Sequence, residues 1–315
     1  MKKYFLGIDG GGTKTVFLLA DQDGSVVNRV VKGGSNPNDI GMEQAKSVLK
    51  EGIEEVLGDI PCHRVTMFAG LSGGGLTGNN GEVLKDFFKT FGFETFENGS
   101  DIQNLIGLAD CKKGILVIMG TGFIVYAING GEQKRISGWG QFFDEGGSGY
   151  TIGRDGIAAA LSAWDGSGEK TILTSLLEEK IGESVQEHVA EFYRGGKRYI
   201  AGFAKEVFEA ARLNDLTAQK ILEKNMAFAA QKIRTAAIEL CKDADGNVQE
   251  PIPVWFAGGV SNKWKILFPM IDSSVKMPRC ILKRLEQEPV EGALKRAYQL
   301  KKEKKGEGEN ESNRD

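Results

Sequence analysis

The amino-acid sequence predicts an α/β protein of two related domains, each a mixed sheet flanked by helices. Three observations lead there. The first hundred residues alternate extended apolar runs with helical patterns, the alternation restarts at Gly114, and each half opens on a hairpin bent around a small glycine–threonine loop. A chain of 315 residues is long enough for two cores.

The elements follow in order. Three strands are expected over residues 4–31, with turn chemistry at Asp21-Gln22-Asp23-Gly24. A turn at 33–38 leads to a helix that carries Ile40, Ala45, Val48, Leu49, Ile53, Val56 and Leu57 on one stripe. Residues 64–69 read as a buried strand, 82–91 as a helix, 93–96 as a short strand and 101–109 as a helix. In the second half, 115–119 and 123–128 form a hairpin around Gly120-Thr121-Gly122, and Asn129-Gly130-Gly131 makes the next turn. A broken helical region runs from Gly147 to about Lys242, and 253–257 is a late strand closed by Gly258-Gly259. The domains predicted are 1–112 and 113–300. The charged stretch 301–315 lacks an apolar face and is expected to be disordered.

The first loop, Asp9-Gly10-Gly11-Gly12-Thr13-Lys14-Thr15, has the chemistry of a phosphate cradle: glycines that let backbone N–H groups approach an anion, plus a hydroxyl and a cation. It matches neither the P-loop nor the dinucleotide code. Thr13 separates Gly12 from Lys14, Thr15 occupies the third glycine position, and a strand follows where both codes require a helix. The loop therefore joins two strands of a hairpin.

Composition narrows the function. Forty basic against 43 acidic residues, net −3, give no basic face for nucleic acid. Cys62, Cys111, Cys241 and Cys280 form no C-x-x-C pair, which speaks against zinc or a redox pair and suits a reducing cytoplasm. His63 and His188 are too few for a histidine metal cluster. Met1-Lys2-Lys3 runs directly into a strand, so no secretory leader is expected, and the apolar stretch 114–128 is too short and glycine-broken to span a membrane.

Three small-residue loops thus stand in order, each after an apolar strand. Together with Ser35-Asn36, Leu71-Ser72-Gly73-Gly74, Asp101, Gly138-Trp139-Gly140, Gly147-Ser148-Gly149-Tyr150, Phe208-Glu209-Ala210-Ala211, Gly258-Gly259-Val260 and Pro289-Val290-Glu291-Gly292-Ala293, they resemble the actin-like ATPase and sugar-kinase superfamily. Within it the chain resembles the N-acetylglucosamine kinases grouped with the BadF/BadG/BcrA/BcrD ATPases. The resemblance implies two actin-like, ribonuclease H-like domains with an interdomain cleft. It also implies ATP and Mg²⁺ as cofactors, an amino sugar phosphorylated on its 6-hydroxyl, and a homodimer. By the same resemblance Asp9 orients the hydration shell of Mg²⁺. Gly10, Gly11, Gly12, Thr13 and Lys14 wrap the β- and γ-phosphates, with Thr121 and Gly122 closing on them. Gly258 and Gly259 flank adenosine. Asn36, Ser72, Gly73, Trp139 and Gly140 line the sugar site, and Asp101 accepts the proton of the attacking hydroxyl. On residue type alone, Asp101 also suits the first turn of a helix, Asn36 a turn before Pro37, and Trp139 a core.

The chain departs from the family pattern on the sugar side. Phe123 and Ile124 stand where relatives carry Ser-Asn, so Phe123 is expected to influence the sugar accepted. Asn38 stands where some relatives carry an aromatic. Without a gap, Glu145 of Asp144-Glu145-Gly146 takes the place of an acidic sugar ligand; a shift of one residue puts Asp144 there. Other classes are weaker. Gly70-Leu71-Ser72-Gly73-Gly74 fits the G-x-S-x-G hydrolase pattern, but Gly73-Gly74-Gly75 is a poor helix start and His188 sits in an ordinary amphipathic helix. A regulatory or activator-type ATPase lacks suitably placed cysteines. A non-catalytic sugar sensor is the third alternative.

Overall fold

The computed structural model describes residues 2–74, 78–110, 112–130, 132–240, 251–275 and 280–311, with side chains as far as Lys302. The chain divides into two units, residues 1–111 with 286–315, and residues 112–285.

The first unit runs β1 (Tyr4–Gly10), β2 (Lys14–Asp21), β3 (Val26–Gly33), α1 (Pro37–Ile40), α2 (Met42–Leu57), β4 (Val65–Leu71), α3 (Asn80–Lys89), β5 (Thr95–Gly99) and α4 (Ile102–Ala109). This is the predicted order. The sheet order is β3-β2-β1-β4-β5, antiparallel through β2 and parallel from β1 to β5. Strand alternation sorts the side chains onto two faces. Leu6, Ile8, Phe17 and Leu19 join Leu49, Ile53 and Val56 of α2 in one core. Gly52 lets α2 close on the Phe17 ring, since a methyl there would lie 2.1 Å from a ring carbon.

Val16 and Leu18, and separately Phe5 and Phe68, are covered by the last helix of the chain, α11 (Pro289–Glu311), through Val290, Ala293, Ala297 and Leu300. This corrects the predicted domain division. Chain order alone placed 286–300 in the second domain, but the apolar stripe of α11 is buried on the first sheet. It also crosses α4 closely, with Gly107 and Gly292 facing backbone so near that neither tolerates a methyl group. Lys301 pairs with Glu94, and α11 continues through Glu311 where disorder was expected. Residues 312–315 lie outside the described residues, as do Gly75, Cys111, Gly131, Cys241 and the predicted helix end near Lys242.

The second unit comprises β6 (Lys113–Met119), β7 (Phe123–Asn129), β8 (Glu132–Arg135), α5 (Gly149–Asp165), α6 (Leu173–Ile181), α7 (Val189–Ala201), α8 (Ala204–Arg212), α9 (Leu216–Leu240), β9 (Ile252–Ala257), α10 (Trp264–Val275) and β10 (Cys280–Arg284). Its sheet order, β10-β9-β6-β7-β8, repeats the design of the first: an antiparallel three-strand run with two further strands parallel to its first member. Ile115, Val117, Val125 and Ala127 pack with Ala229, Ala230, Ile233 and Ala237 of α9. The small residues on α9 let it lie close to the sheet. The short, half-exposed strand β10 had no clear sequence signal.

Candidate active site

In the first unit, β1, β4 and β5 end at one sheet edge. Asp9 is in register with Gly70, and Gly70 with Gly99. Open α/β sheets gather ligand groups at such carboxyl ends. Asp9 closes β1, Ser72 follows β4, and Asp101 starts α4. Asn104, fully buried one turn along α4, joins them: its Nδ2 donates to Asp9 Oδ1 at 2.7 Å and to the Gly70 carbonyl at 3.1 Å. Gly70 is glycine of necessity, since a methyl there would lie 2.1 Å from Asn104 Oδ1.

Both carboxylates are raised, chiefly by burial. Burial pushes the Asp9 carboxyl up to about 6. The Asn104 hydrogen bond works against that rise, the Asp101 charge adds to it, and Lys14 opposes it. Burial also raises Asp101, opposed by a hydrogen bond from Ser72 and by backbone N–H groups at the helix start. Asp101 occupies the N-cap position, but its carboxylate meets the N–H groups of Asp101 and Ile102 and makes no standard capping bond further into the first turn.

The glycine loop connects β1 and β2 as expected. Gly11 N–H donates to Lys14 O, and Ser35 N–H to Gly11 O. Gly12, Thr13 and Lys14 are exposed. Lys14 lies 3.8 Å from Glu288, an exposed pair of small energetic weight that a phosphate can displace. Asn36 caps α1 by accepting from Asn38 N–H and donates to Asp39 Oδ2 at 2.9 Å. Gly73, at φ +72°, packs against the Asn36 side chain, and its carbonyl accepts from Asn80 Nδ2. Asn36, Ser72, Gly73 and Asp101 thus belong to one connected rim.

In the second unit, β6 and β9 are parallel, with Ile118 beside Ala257. The two loops that follow these strands touch: Gly258, at φ +96°, packs on the backbone of Met119 and Gly120. The Gly120-Thr121-Gly122 loop turns its carbonyls inward. Gly120 O accepts from Gly149 N–H, Thr121 O from Tyr150 N–H, and Gly122 O from Gly120 N–H. Among the described residues, the N–H groups of Thr121 and Gly122 reach no backbone acceptor. Gly259 starts a short 3-10 turn held by Ser261, which donates to Gly258 O.

Trp139 is 61% exposed, with the Arg135 guanidinium 4.4 Å from its ring centroid. It is a surface aromatic and not a core one. Gly138 and Gly140, both at positive φ, are held by the buried Asp144, which accepts from Gly140 N–H at 3.0 Å. Two expectations are corrected here. Phe123 is 4% exposed, packed against Phe228 and Gly147 in the core, because alternation along β7 gives the half-exposed position to Ile124. Of the acidic pair, Asp144 serves the loop backbone. Glu145 turns outward to a cavity of about 450 Å³ that it shares with Lys224, Phe228 and Arg234.

Asn104 and Asp39 were missed by sequence reasoning. Asn104 had a signal: a second amide, beside Gln103, in the otherwise apolar helix start Ile102-Gln103-Asn104-Leu105-Ile106. Asp39, whose carboxylate would meet any side chain at Gly12, had none. The hydrolase alternative finds no support. After β4, among the described residues, the next helix starts only at Asn80, and both ring nitrogens of His188 are engaged, by Glu183 and Tyr199.

Asp9 fits a hydrated cation. One carboxylate oxygen is fixed by Asn104, and the burial that raises its pKa is what a bound cation would offset.

Residues 6–294 match the family model described as the BadF/BadG/BcrA/BcrD ATPase family. An N-acetylmuramic acid/N-acetylglucosamine kinase of Clostridium acetobutylicum is 33% identical, over 84% of this chain and 88% of that protein. An N-acetyl-D-glucosamine kinase of Dictyostelium discoideum is 28% identical, over 96% and 99%. Among solved structures, a candidate N-acetylglucosamine kinase from Chromobacterium violaceum superposes with a TM-score of 0.71 at 25% identity, covering 93% of this chain and 98% of that one. A ROK-family glucokinase from Streptomyces griseus shares the fold, with a TM-score of 0.63 at 17% identity over 95% and 99%. The chain is a member of the BadF/BadG/BcrA/BcrD ATPase family.

Proposed function

We propose that the protein is an ATP-dependent kinase that transfers the γ-phosphoryl group to the 6-hydroxyl of an amino sugar, N-acetylglucosamine or a closely related hexosamine. The kinases to which it is similar, and its family, support the reaction class. One observation carries the assignment of roles: Asp9 and Asp101, two carboxylates raised by burial, stand at the same sheet edge.

Asp101 takes the proton of the sugar hydroxyl as that oxygen bonds to the γ-phosphorus and the bridge to ADP breaks. The Ser72 hydroxyl beside it favours the ionised form. Open backbone N–H groups at Thr121 and Gly122, with the exposed loop 10–14, suit the transferring phosphates. Asp9 would hold Mg²⁺ through water, and the bound ion would neutralise phosphate charge. Gly258 and Gly259 would border the adenosine. Asn36, Ser72, Gly73, Trp139 and Gly140 would meet the sugar. Phe123 and Glu145 are left out, for the structural reasons above. A cytoplasmic homodimer is the setting we infer. Among the described residues no helix is long and apolar enough to cross a membrane.

The test is ADP release with Mg-ATP across glucosamine, N-acetylglucosamine and N-acetylmuramic acid, with the phosphorylated oxygen located by phosphorus NMR. Absence of turnover on every amino sugar, or a product phosphorylated elsewhere than O6, would overturn the respective part of the reading.

A further inference from the structure

We infer that Lys197 is a phosphate-binding residue of the second glycine loop. The inference rests on the nucleotide role proposed above for that loop. Within the second unit, a methyl built on Gly122 would lie 3.5 Å from Lys197 Nζ, so the ammonium stands over the loop backbone. This is the loop whose carbonyls are turned inward and whose Thr121 and Gly122 N–H groups reach no backbone acceptor.

The placement of Lys197 depends on a break in α7. Gly196 has φ 64° and ψ −165°, a conformation that essentially only glycine adopts, and it divides α7 into two helical pieces. Gly195 before it packs against the Tyr199 ring, where a methyl would come within 2.4 Å. Tyr199 in turn is tied by its hydroxyl to His188 and packs edge-on to Phe203. The residue after the break is thus delivered from a braced turn.

Among the described residues Lys197 carries no counter-ion, unlike Arg194, which pairs with Glu191, and Lys180, which pairs with Glu206. Arg198 beside it is unpaired as well but is exposed, whereas Lys197 is half-buried over the loop. Among the described residues Lys197 has neither a hydrogen-bond nor an ion-pair partner, although it is half-buried. A cation partly removed from water, without a carboxylate and beside unengaged backbone N–H groups, matches a polyanion: the β- or γ-phosphate of a nucleotide.

The experiment compares the unmodified protein with Lys197→Met, Lys197→Gln and Lys197→Arg, using calorimetric affinity for Mg-ATP, Mg-ADP and AMP, and thermal melts. The expected result is that Met and Gln weaken Mg-ATP by roughly tenfold to a hundredfold, the scale of a charged hydrogen bond. Arg should restore most of that loss, and AMP, which lacks the β- and γ-phosphates, should bind as before. Mg-ATP affinity unchanged in both neutral variants overturns the inference. So does equal weakening of AMP, or a lowered melting point that accounts for the loss. If the unmodified protein binds no nucleotide, the kinase reading fails instead. If it binds Mg-ATP and phosphorylates a sugar while Lys197→Met does the same, only the role of Lys197 fails.

Discussion

Asn104 spends both N–H bonds of its amide on the site: one on Asp9 Oδ1 at 2.7 Å and one on the Gly70 carbonyl at 3.1 Å. One side chain on α4 therefore fixes the ends of β1 and β4 relative to the helix that begins with Asp101. Asn104→Leu should take its partner from the Asp9 carboxylate and remove one bond from the Gly70 carbonyl, lowering stability by about 1–3 kcal/mol. Because the amide holds the Asp9 pKa down, the variant should also titrate Asp9 at higher pH. Denaturant melts and carboxylate NMR measure the two effects. A variant as stable as the parent would show that Asn104 is merely accommodated.

Asp9 makes the protein less stable on its own than it could be. Its folded-state pKa, about 6 against an ordinary 3.8, means that the folded form keeps a proton which the unfolded chain has already released. The stabilisation from that proton is complete below pH ~4 and is lost as pH rises through about 6. Two pKa units correspond to roughly 2–3 kcal/mol. Asp9→Asn should therefore raise the melting point at pH 7 without nucleotide, by an amount that shrinks towards pH 4, while turnover is lost. Melts of both proteins from pH 4 to 8 test this; a pH-independent difference would contradict the desolvation account.

Phe123→Ser should act on stability and leave sugar choice alone. The ring is buried against Phe228 and Gly147, and removing a core aromatic costs about 3–5 kcal/mol. The ratios of kcat/KM among glucosamine, N-acetylglucosamine and N-acetylmuramic acid should match those of the parent. Altered ratios in a variant of parental stability would restore Phe123 to the sugar site.

These residues show what the sequence made legible. Period-2 alternation, turn residues and glycine loops are local signals, and they placed β1, β2, β6, β7 and the loop ends correctly. The inward face of Phe123 was not legible, because a strand start offers two alternating faces and only the packed sheet decides between them. Nor was the allegiance of α11, whose stripe of Val290, Ala293 and Ala297 could cover either sheet by pattern alone. Asp39 and Asn104 meet partners across long sequence separations; the Asn104 amide was out of place in an apolar helix, but no window of residues names Asp9 as its partner. The loops containing Asp144 and Glu145 show the same limit: adjacent acids, one drawn inward by backbone N–H groups and one left exposed.

Asp101 and Ser72 permit a prediction that separates a proton acceptor from a structural carboxylate. Asp101→Asn keeps the shape and removes the acceptor, so Mg-ATP affinity should persist while turnover falls by on the order of 10² or more. The pH profile gives a second, independent reading. Burial raises the Asp101 pKa, so the acidic limb of kcat/KM should lie above the usual carboxylate range. The Ser72 hydrogen bond favours the ionised form and works against that rise. Ser72→Ala should then move the limb to still higher pH, so that activity is depressed most in mildly acidic buffer and recovers as pH rises. A loss of activity that is uniform across pH would mean that Ser72 serves the sugar and not the base. Parental turnover in Asp101→Asn would remove Asp101 from the chemistry altogether, leaving it as the residue at the start of α4.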